Sequence, residues 1–401
     1  MEPTQFDIAI VGAGLAGLSA ALALEPVCAA AGVKLALVAP ITKGDDKRTT
    51  ALLMPSVKLM EQLGLWDLLA PHSAPLATIR MVDGTKRLIR APLTDFKAAE
   101  LSLEAFGYNV PNALMVSEFE KKIACSDTIF RFDAVLEKAL CAEDGIDLSL
   151  STGSTIVSKR VAAADGRNSI LRQAAGIKTR NWSYPQSAVV VNFQHSLPHH
   201  SVSTEIHTET GPFTQVPLPA RTDAPLRSSL VWVVTPEQAQ DLCAKPQDQL
   251  NLIIEQKMQS CLGKISLETS PQTFPLSGMI ADQFAANGVF LLGEAGHVFP
   301  PIGAQGFNLG LRDVVALRDC LKQSKFGLCR ANIVAVCDTY DGMRRRDVTL
   351  STGAVDLLNR SLLSDFLPVQ AARSLGLTAL GQFSWLRRQM MQRGMGPQSI
   401  L

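Results

Sequence analysis

The sequence predicts an α/β fold: a parallel sheet with helices on its faces, interrupted by an inserted, mainly antiparallel sheet and followed by a helical C-terminal segment. Three observations predict it. Residues 6–11 read as a short strand that runs straight into a glycine-rich turn and a small-residue helix. Near residue 290 a second strand runs into a second glycine-rich turn and helix. Between the two, from about 177 to 280, the pattern changes to short strands.

The 6–11 segment is a continuous run of Ile, Val and Ala after polar residues, the mark of a strand buried on both faces. Gly12, Gly14 and Gly17 follow, with Leu15 and Ala16 between them, and open a helix over 15–24. In a βαβ unit the first glycine makes the tight turn, the second lets the backbone approach a pyrophosphate, and the third lets helix pack closely on strand. A second strand over 33–38 arrives at the expected distance, which raises the glycine pattern above a chance match. The acid that usually ends this strand and holds a ribose hydroxyl is missing. Ala39 and Pro40 stand there, and Asp45 and Asp46 follow a few residues later as alternatives.

Residues 48–56 lead into a helix over 56–63, with Val57, Met60 and Leu63 at helical spacing and Gly64 as its cap. Residues 75–115 read as short strands and turns, an excursion between two parts of one nucleotide fold. Residues 161–172 read as strand, Asp165-Gly166 turn, then a helix carrying Arg172. Strands are expected over 187–194, 202–207, 213–218 and 228–234, with a helix over 247–262. Such a sheet would cover a ligand lying on the first unit. His195, His199, His200 and His207 fall in this region and read as polar loop residues, since no ligand spacing accompanies them. The strand near 289–293 ends in Glu294, an acid placed to accept a sugar hydroxyl. His297 and the loop of Pro301, Gly303, Gln305 and Gly306 follow, then a helix with Leu311, Val314, Val315 and Leu317 on its apolar face.

Composition narrows the partners. The 401 residues are 47% hydrophobic and 19% charged, with 38 Lys+Arg against 37 Asp+Glu, so no basic field exists to hold a nucleic acid. Eight scattered cysteines without a Cys-x-x-Cys pair fit a reducing, cytoplasmic setting and give no metal site. The apolar run 8–24 lacks the basic flank and cleavage site of a signal peptide, and its glycines mark it as strand, turn and helix.

In order and spacing, the three glycine and acid blocks resemble the flavoprotein aromatic hydroxylases, the class A flavin monooxygenases. Segments 48–52, 106–112, 182–186, 274–277, 299–306 and 357–361 make the chain most similar to the ubiquinone-biosynthesis hydroxylases of polyprenylated phenols. The resemblance implies a Rossmann-like FAD-binding domain of the glutathione-reductase type over 1–75, 105–176 and 281–325. It implies a substrate domain over 76–104 and 177–280, and a C-terminal helical segment over 326–401. Its implied FAD-binding residues are Gly12, Gly14, Leu15, Ala16, Gly17, Arg48, Asp165, Gly166, Glu294, Pro301, Gly303, Gln305 and Gly306. The chain departs from the family twice. Glu294 stands where Asp is usual, and Asn112 and Ala113 stand where an arginine often reaches the flavin, which leaves Arg48 as the cationic contact.

The implied reaction takes electrons from NAD(P)H and uses O2 to hydroxylate a polyprenylated phenol. The cofactor carries the chemistry, and no side-chain nucleophile or metal is needed. No second dinucleotide fingerprint appears, so the nicotinamide docks transiently. After Asp365 the only charged residues are Arg373, Arg387, Arg388 and Arg393, interspersed with apolar residues including Phe383, Trp385, Met390 and Met391. Such a segment suits peripheral contact with the inner face of the membrane, docking on its own protein, or a place in a ubiquinone-biosynthesis complex. Hydroxylation of another aromatic, flavin-dependent reduction, and a non-enzymatic flavin scaffold share the same cofactor fold.

Overall fold

The computed structural model describes residues 4–41, 46–85, 90, 92–142, 145–300, 305–327, 329–363, 376, 378 and 382–395. At its centre is a six-stranded sheet in the order Ala285–Ala286, Val289–Leu291, Val161–Ala163, Ile8–Val11, Leu35–Val38, Ile129–Phe132. All neighbours run parallel except the first pair. The strands are continuously apolar because both faces are covered. Helices Leu15–Ala31, Asn112–Ala124, Gln305–Gln323 and Arg330–Leu363 pack on one face through residues such as Leu18, Phe119, Leu317 and Tyr340. Ile170–Ala174 and a four-stranded sheet close the other.

The expected 6–11 strand is two elements. Thr4–Phe6 pairs with Thr155–Ser158 in the four-stranded sheet, and only Ile8–Val11 joins the parallel sheet. The chain bends at Asp7, whose carboxylate accepts the Lys34 N–H at 3.2 Å. Phe6 thereby turns into the opposite layer, edge-on to Phe130 and Phe132. The helix expected over 15–24 continues to Ala31 through Pro26, because Cys28 extends its buried face, and it ends at Gly32 in the left-handed conformation. The helix expected over 56–63 spans Met54–Gln62, with Gly64 left-handed just beyond it. The strand before it, Thr49–Leu53, pairs with Gly107–Pro111 and has no alternation to mark it in the sequence.

The third layer is a nine-stranded sheet, antiparallel except where Val202–His207 runs parallel to Thr78–Asp83. Its spine is Thr179–His195, a strand more than twice the expected length, with a register shift between Ser183 and Ser187 around Pro185. Proline reads as a break in sequence but is tolerated at a bulge. Val189, Val191 and Phe193 point to Pro236–Ala244 and Gln247–Lys257, while Ala188 and Val190 belong to a separate apolar cluster on the opposite face.

The histidine reading needs correction. His195 and His207 are buried within strands rather than placed in loops: His195 Nε2 lies 3.0 Å from Ser228 Oγ, and His207 Nε2 lies 2.8 Å from Glu205. Burial, with the neighbouring His195 and His200, holds the His199 imidazole down to about 4. Among the described residues no three His, Cys, Asp or Glu side chains gather as a metal site, and no helix is long and apolar enough to cross a membrane.

Candidate active site

The first glycine turn separates into packing and opening. Gly12 sits at φ +107, and a Cβ there would overlap the Ala164 carbonyl. A Cβ at Gly17 would overlap the carbonyl of Gly12. Gly14 is the reverse case: an added Cβ would meet nothing within 4 Å. Gly14 also caps the Leu15–Ala31 helix without a side-chain hydrogen bond, and the first turn holds no acid. The orphan N–H groups of the helix are therefore left to an external acceptor, which is what a pyrophosphate supplies.

Those N–H groups face a cavity of about 580 Å³. Of the residues singled out from sequence, Gly14, Leu15, Ala16, Arg48, Gly166, Glu294 and Gly306 line it together. Gly12 and Gly17 lie behind the wall as packing residues. Asp165 also lies behind it: its Oδ2 accepts the Leu171 N–H at 3.2 Å, starting the Ile170–Ala174 helix. Its Oδ1 is buried without a partner between lining residues Ala164 and Gly166, and burial raises its carboxyl above the ordinary range. Arg172 is structural, donating from Nη1 to the Ala295 carbonyl and from Nη2 to that of Arg167, both at 2.8 Å. Pro301 and Gly303 lie outside the described residues. Gln305 begins the Gln305–Gln323 helix, but its side chain lies outside them as well.

Three residues that the sequence reading had not placed in the site hold its walls. Asn112 donates from Nδ2 to Asp46 Oδ2 at 3.0 Å and accepts from Thr50 Oγ1 at 2.7 Å. Asp46 in turn takes both Arg48 Nε and Nη2 at 2.8 Å. The hydrogen bond to Asp46 raises the Arg48 guanidinium above its ordinary range, with Glu294 adding to the effect. Asn308 accepts the Leu53 N–H and the Ser56 hydroxyl and donates to the Ala51 carbonyl, joining the 305–323 helix to the segment behind Arg48. His297, which follows the strand-end acid in the sequence, pairs with the Asp313 carboxylate at 2.8 Å and stacks on Phe299. These partners lie up to 257 residues apart in sequence, and no local signal announces them.

A second cavity, about 290 Å³, lies on the free face of the nine-stranded sheet, lined by Ala188, Val190, Val231 and Phe274 and by Lys47, Arg48 and Thr49. Asn192 holds the 47–49 segment to the sheet through the Lys47 carbonyl at 3.2 Å. Arg48 is thus common to both cavities.

A profile of the FAD binding domain family matches residues 5–349. The chain belongs to the class A flavin monooxygenases. FAD is the cofactor of this flavin monooxygenase and NAD(P)H its electron donor. The cradle at Gly14, the uncapped helix terminus and the cavity they face fit an extended dinucleotide. The ubiquinone hydroxylase UbiL of Rhodospirillum rubrum is 31% identical, the match covering 97% of this chain and 89% of the relative. The 3-demethoxyubiquinol 3-hydroxylase of Escherichia coli is 30% identical, over 98% and 99%. Among solved structures, p-nitrophenol 4-monooxygenase PnpA from Pseudomonas putida DLL-E4 superposes with a TM-score of 0.77 at 16% identity, over 98% of both chains. That likeness establishes the shared fold.

Proposed function

We propose that this flavin monooxygenase hydroxylates the aromatic ring of a polyprenylated phenol in ubiquinone biosynthesis. The observation that carries the reading is the meeting of two cavities at Arg48, one fitted to the dinucleotide and one apolar on the sheet face. A prenylated phenol has a matching division, with a polar ring to place beside the cofactor and an apolar tail to lay along Val190, Val231 and Phe274. The two relatives, a ubiquinone hydroxylase and a 3-demethoxyubiquinol 3-hydroxylase, support the same substrate class.

Bound FAD supplies electron transfer from NAD(P)H and the activation of O2. The chain's residues bind, orient and exclude water. Gly14, Leu15 and Ala16 offer helix N–H groups to the pyrophosphate. Glu294 accepts a cofactor hydroxyl, and Gly166 and Gly306 permit close backbone approach. Arg48, held in place by Asp46, sets a fixed positive charge where negative charge develops on the ring system. Ala188, Val190, Val231 and Phe274 keep water from the reacting ring. Deletion of the gene followed by mass spectrometry of lipid extracts tests the proposal. Accumulation of one under-hydroxylated prenylphenol supports it, and unchanged quinone levels overturn it.

We also propose peripheral contact with an anionic membrane. The Ser384–Gly394 helix docks one face on its own protein: Met391 and Met395 pack with Phe96 and Phe106, and Arg387 pairs with Glu100 at 2.8 Å. Phe383, Trp385 and Met390 remain exposed, and Arg388 with them. Exposed aromatic and apolar side chains beside an arginine, with no acid after Asp365, suit a bilayer interface. Flotation with vesicles containing phosphatidylglycerol, comparing the intact chain with a Phe383→Ser, Trp385→Ser, Met390→Ser variant, decides it; equal flotation removes the membrane role.

A further inference from the structure

We infer that Glu120, positioned by Arg131, holds the adenosine ribose of FAD in place of the missing strand-end acid. The inference rests on FAD as the cofactor and not on the substrate assignment.

An acid at the carboxyl end of the second parallel strand ordinarily accepts the ribose hydroxyls. Here Leu35–Val38 ends in Ala39, which has no acceptor side chain. Asp46, the nearest described acid further along the chain, is fully engaged: it receives two guanidinium bonds and a backbone N–H from Arg48 and the Asn112 amide. It is anchored at Arg48 and has no oxygen to spare for a diol.

The neighbouring strand supplies a substitute. Ile129–Phe132 runs parallel to Leu35–Val38 to its end, and the Ala39 N–H donates to the Phe132 carbonyl at 3.2 Å. Arg131 Nη1 donates to the carbonyls of both Ala39 and Phe132, which fixes its guanidinium at the strand ends. Glu120 reaches the same guanidinium from the Asn112–Ala124 helix, with Oε1 at 3.1 Å from Nη2. Ala113 and Val116, which line the cofactor cavity, lie seven and four residues before Glu120, on the same helical face. Glu120 thus lies one turn beyond the cavity lining at Val116, and Arg131 ties it to the end of the second strand.

Its chemistry suits the role. A carboxylate has about four acceptor positions, and Arg131 occupies only part of them, one contact being as long as 3.5 Å. Arg131 is a positioning residue: it keeps the carboxylate aimed, and its bonds to the backbone leave it little freedom to move.

The test compares binding of FAD, FMN and an FAD analogue with a 2′,3′-dideoxyadenosine ribose to the apoprotein, read by quenching of flavin fluorescence. FMN has no adenosine, and the analogue has no ribose hydroxyls to donate. Glu120→Gln should weaken FAD by at least about 10-fold, the value of one hydrogen bond to a charged group, while FMN binding stays unchanged. Wild type should discriminate against the analogue, and the variant should lose that discrimination. Equal loss of FAD and FMN would mean that Glu120 only shapes the fold. Unchanged discrimination in the variant would equally overturn the inference. Melting of the apo forms is read in parallel. If Glu120→Gln is destabilised, Glu120→Asp carries the same comparison, and it should keep part of the discrimination because the carboxylate remains one methylene back.

Discussion

Asp313 Oδ2 receives the imidazole of His297 and the backbone N–H of Gly293, both at 2.8 Å, so one buried carboxylate sets the start of the loop that carries Glu294. Its other oxygen takes Arg344 Nε at 2.6 Å from the long Arg330–Leu363 helix. The cofactor loop is thereby tied to a helix on the far side of the Gln305–Gln323 element. Replacing Asp313 by Asn keeps the shape but leaves the guanidinium of Arg344, itself 2% exposed, with one fewer charge partner. The expected loss is about 3–5 kcal/mol, as for breaking a buried pair, measured by urea unfolding, with lower FAD content in the purified protein.

The same carboxylate gives an acid limit. Burial alone would raise Asp313, but Arg344, His297 and the Gly293 N–H outweigh it and hold it below the ordinary carboxylate range. A depressed carboxylate contributes stability above its unfolded pKa of about 3.9 and loses it as pH falls through the folded value. Melting temperature should therefore fall more steeply below about pH 4 in the wild type than in Asp313→Asn.

The two glycines of the first turn should respond in opposite ways. Gly17→Ala puts a Cβ into the Gly12 carbonyl and should destabilise the apoprotein itself. Gly14→Ala meets no protein atom within 4 Å, so the fold should stay intact while FAD occupancy drops. Circular dichroism melts and the ratio of flavin to protein absorbance separate the outcomes.

Arg48 is 62% exposed along its side chain, and its pair with Asp46 should contribute no more than about 1 kcal/mol to stability. Arg48→Ala should melt within a few degrees of wild type. Hydroxylated product per NAD(P)H consumed should fall by about 10²-fold if the guanidinium stabilises developing charge. Unchanged coupling would remove Arg48 from the chemistry.

Filling the second cavity tests where the tail lies. Val190→Trp adds bulk on the sheet face, away from the dinucleotide cradle. FAD affinity should hold while KM for a prenylated phenol rises and that for the unprenylated ring changes less. An equal rise for both would place the tail elsewhere.

The parallel-sheet unit was legible because its signals are local. Gly12, Gly14 and Gly17 sit on one turn between an apolar strand and its helix, and each glycine answers a steric demand a few residues away. The Val202–His207 strand was also readable to the residue, since alternation and flanking polar residues are local too. Thr179–His195 was read short because Pro185 is a break in sequence and a bulge in the sheet. His195 was read as a loop residue, and His207 carried the same reading although it closes the 202–207 strand, because nothing in the sequence shows that strand neighbours would bury and pair them.

The sequence by itself determined the class of fold, the cofactor cradle and the absence of an acid at Ala39, because these depend on residue type at short spacing. Tertiary structure decided which groups surround the cofactor. It set Asp165 behind the wall and joined Asp46 to Asn112. It paired His297 with Asp313 and brought Glu120 and Arg131 to the end of a strand about 90 residues away in sequence. The physical reason is that a buried charge or amide is settled by whichever partner the packed layers bring within about 3 Å, and that partner has no fixed distance along the chain.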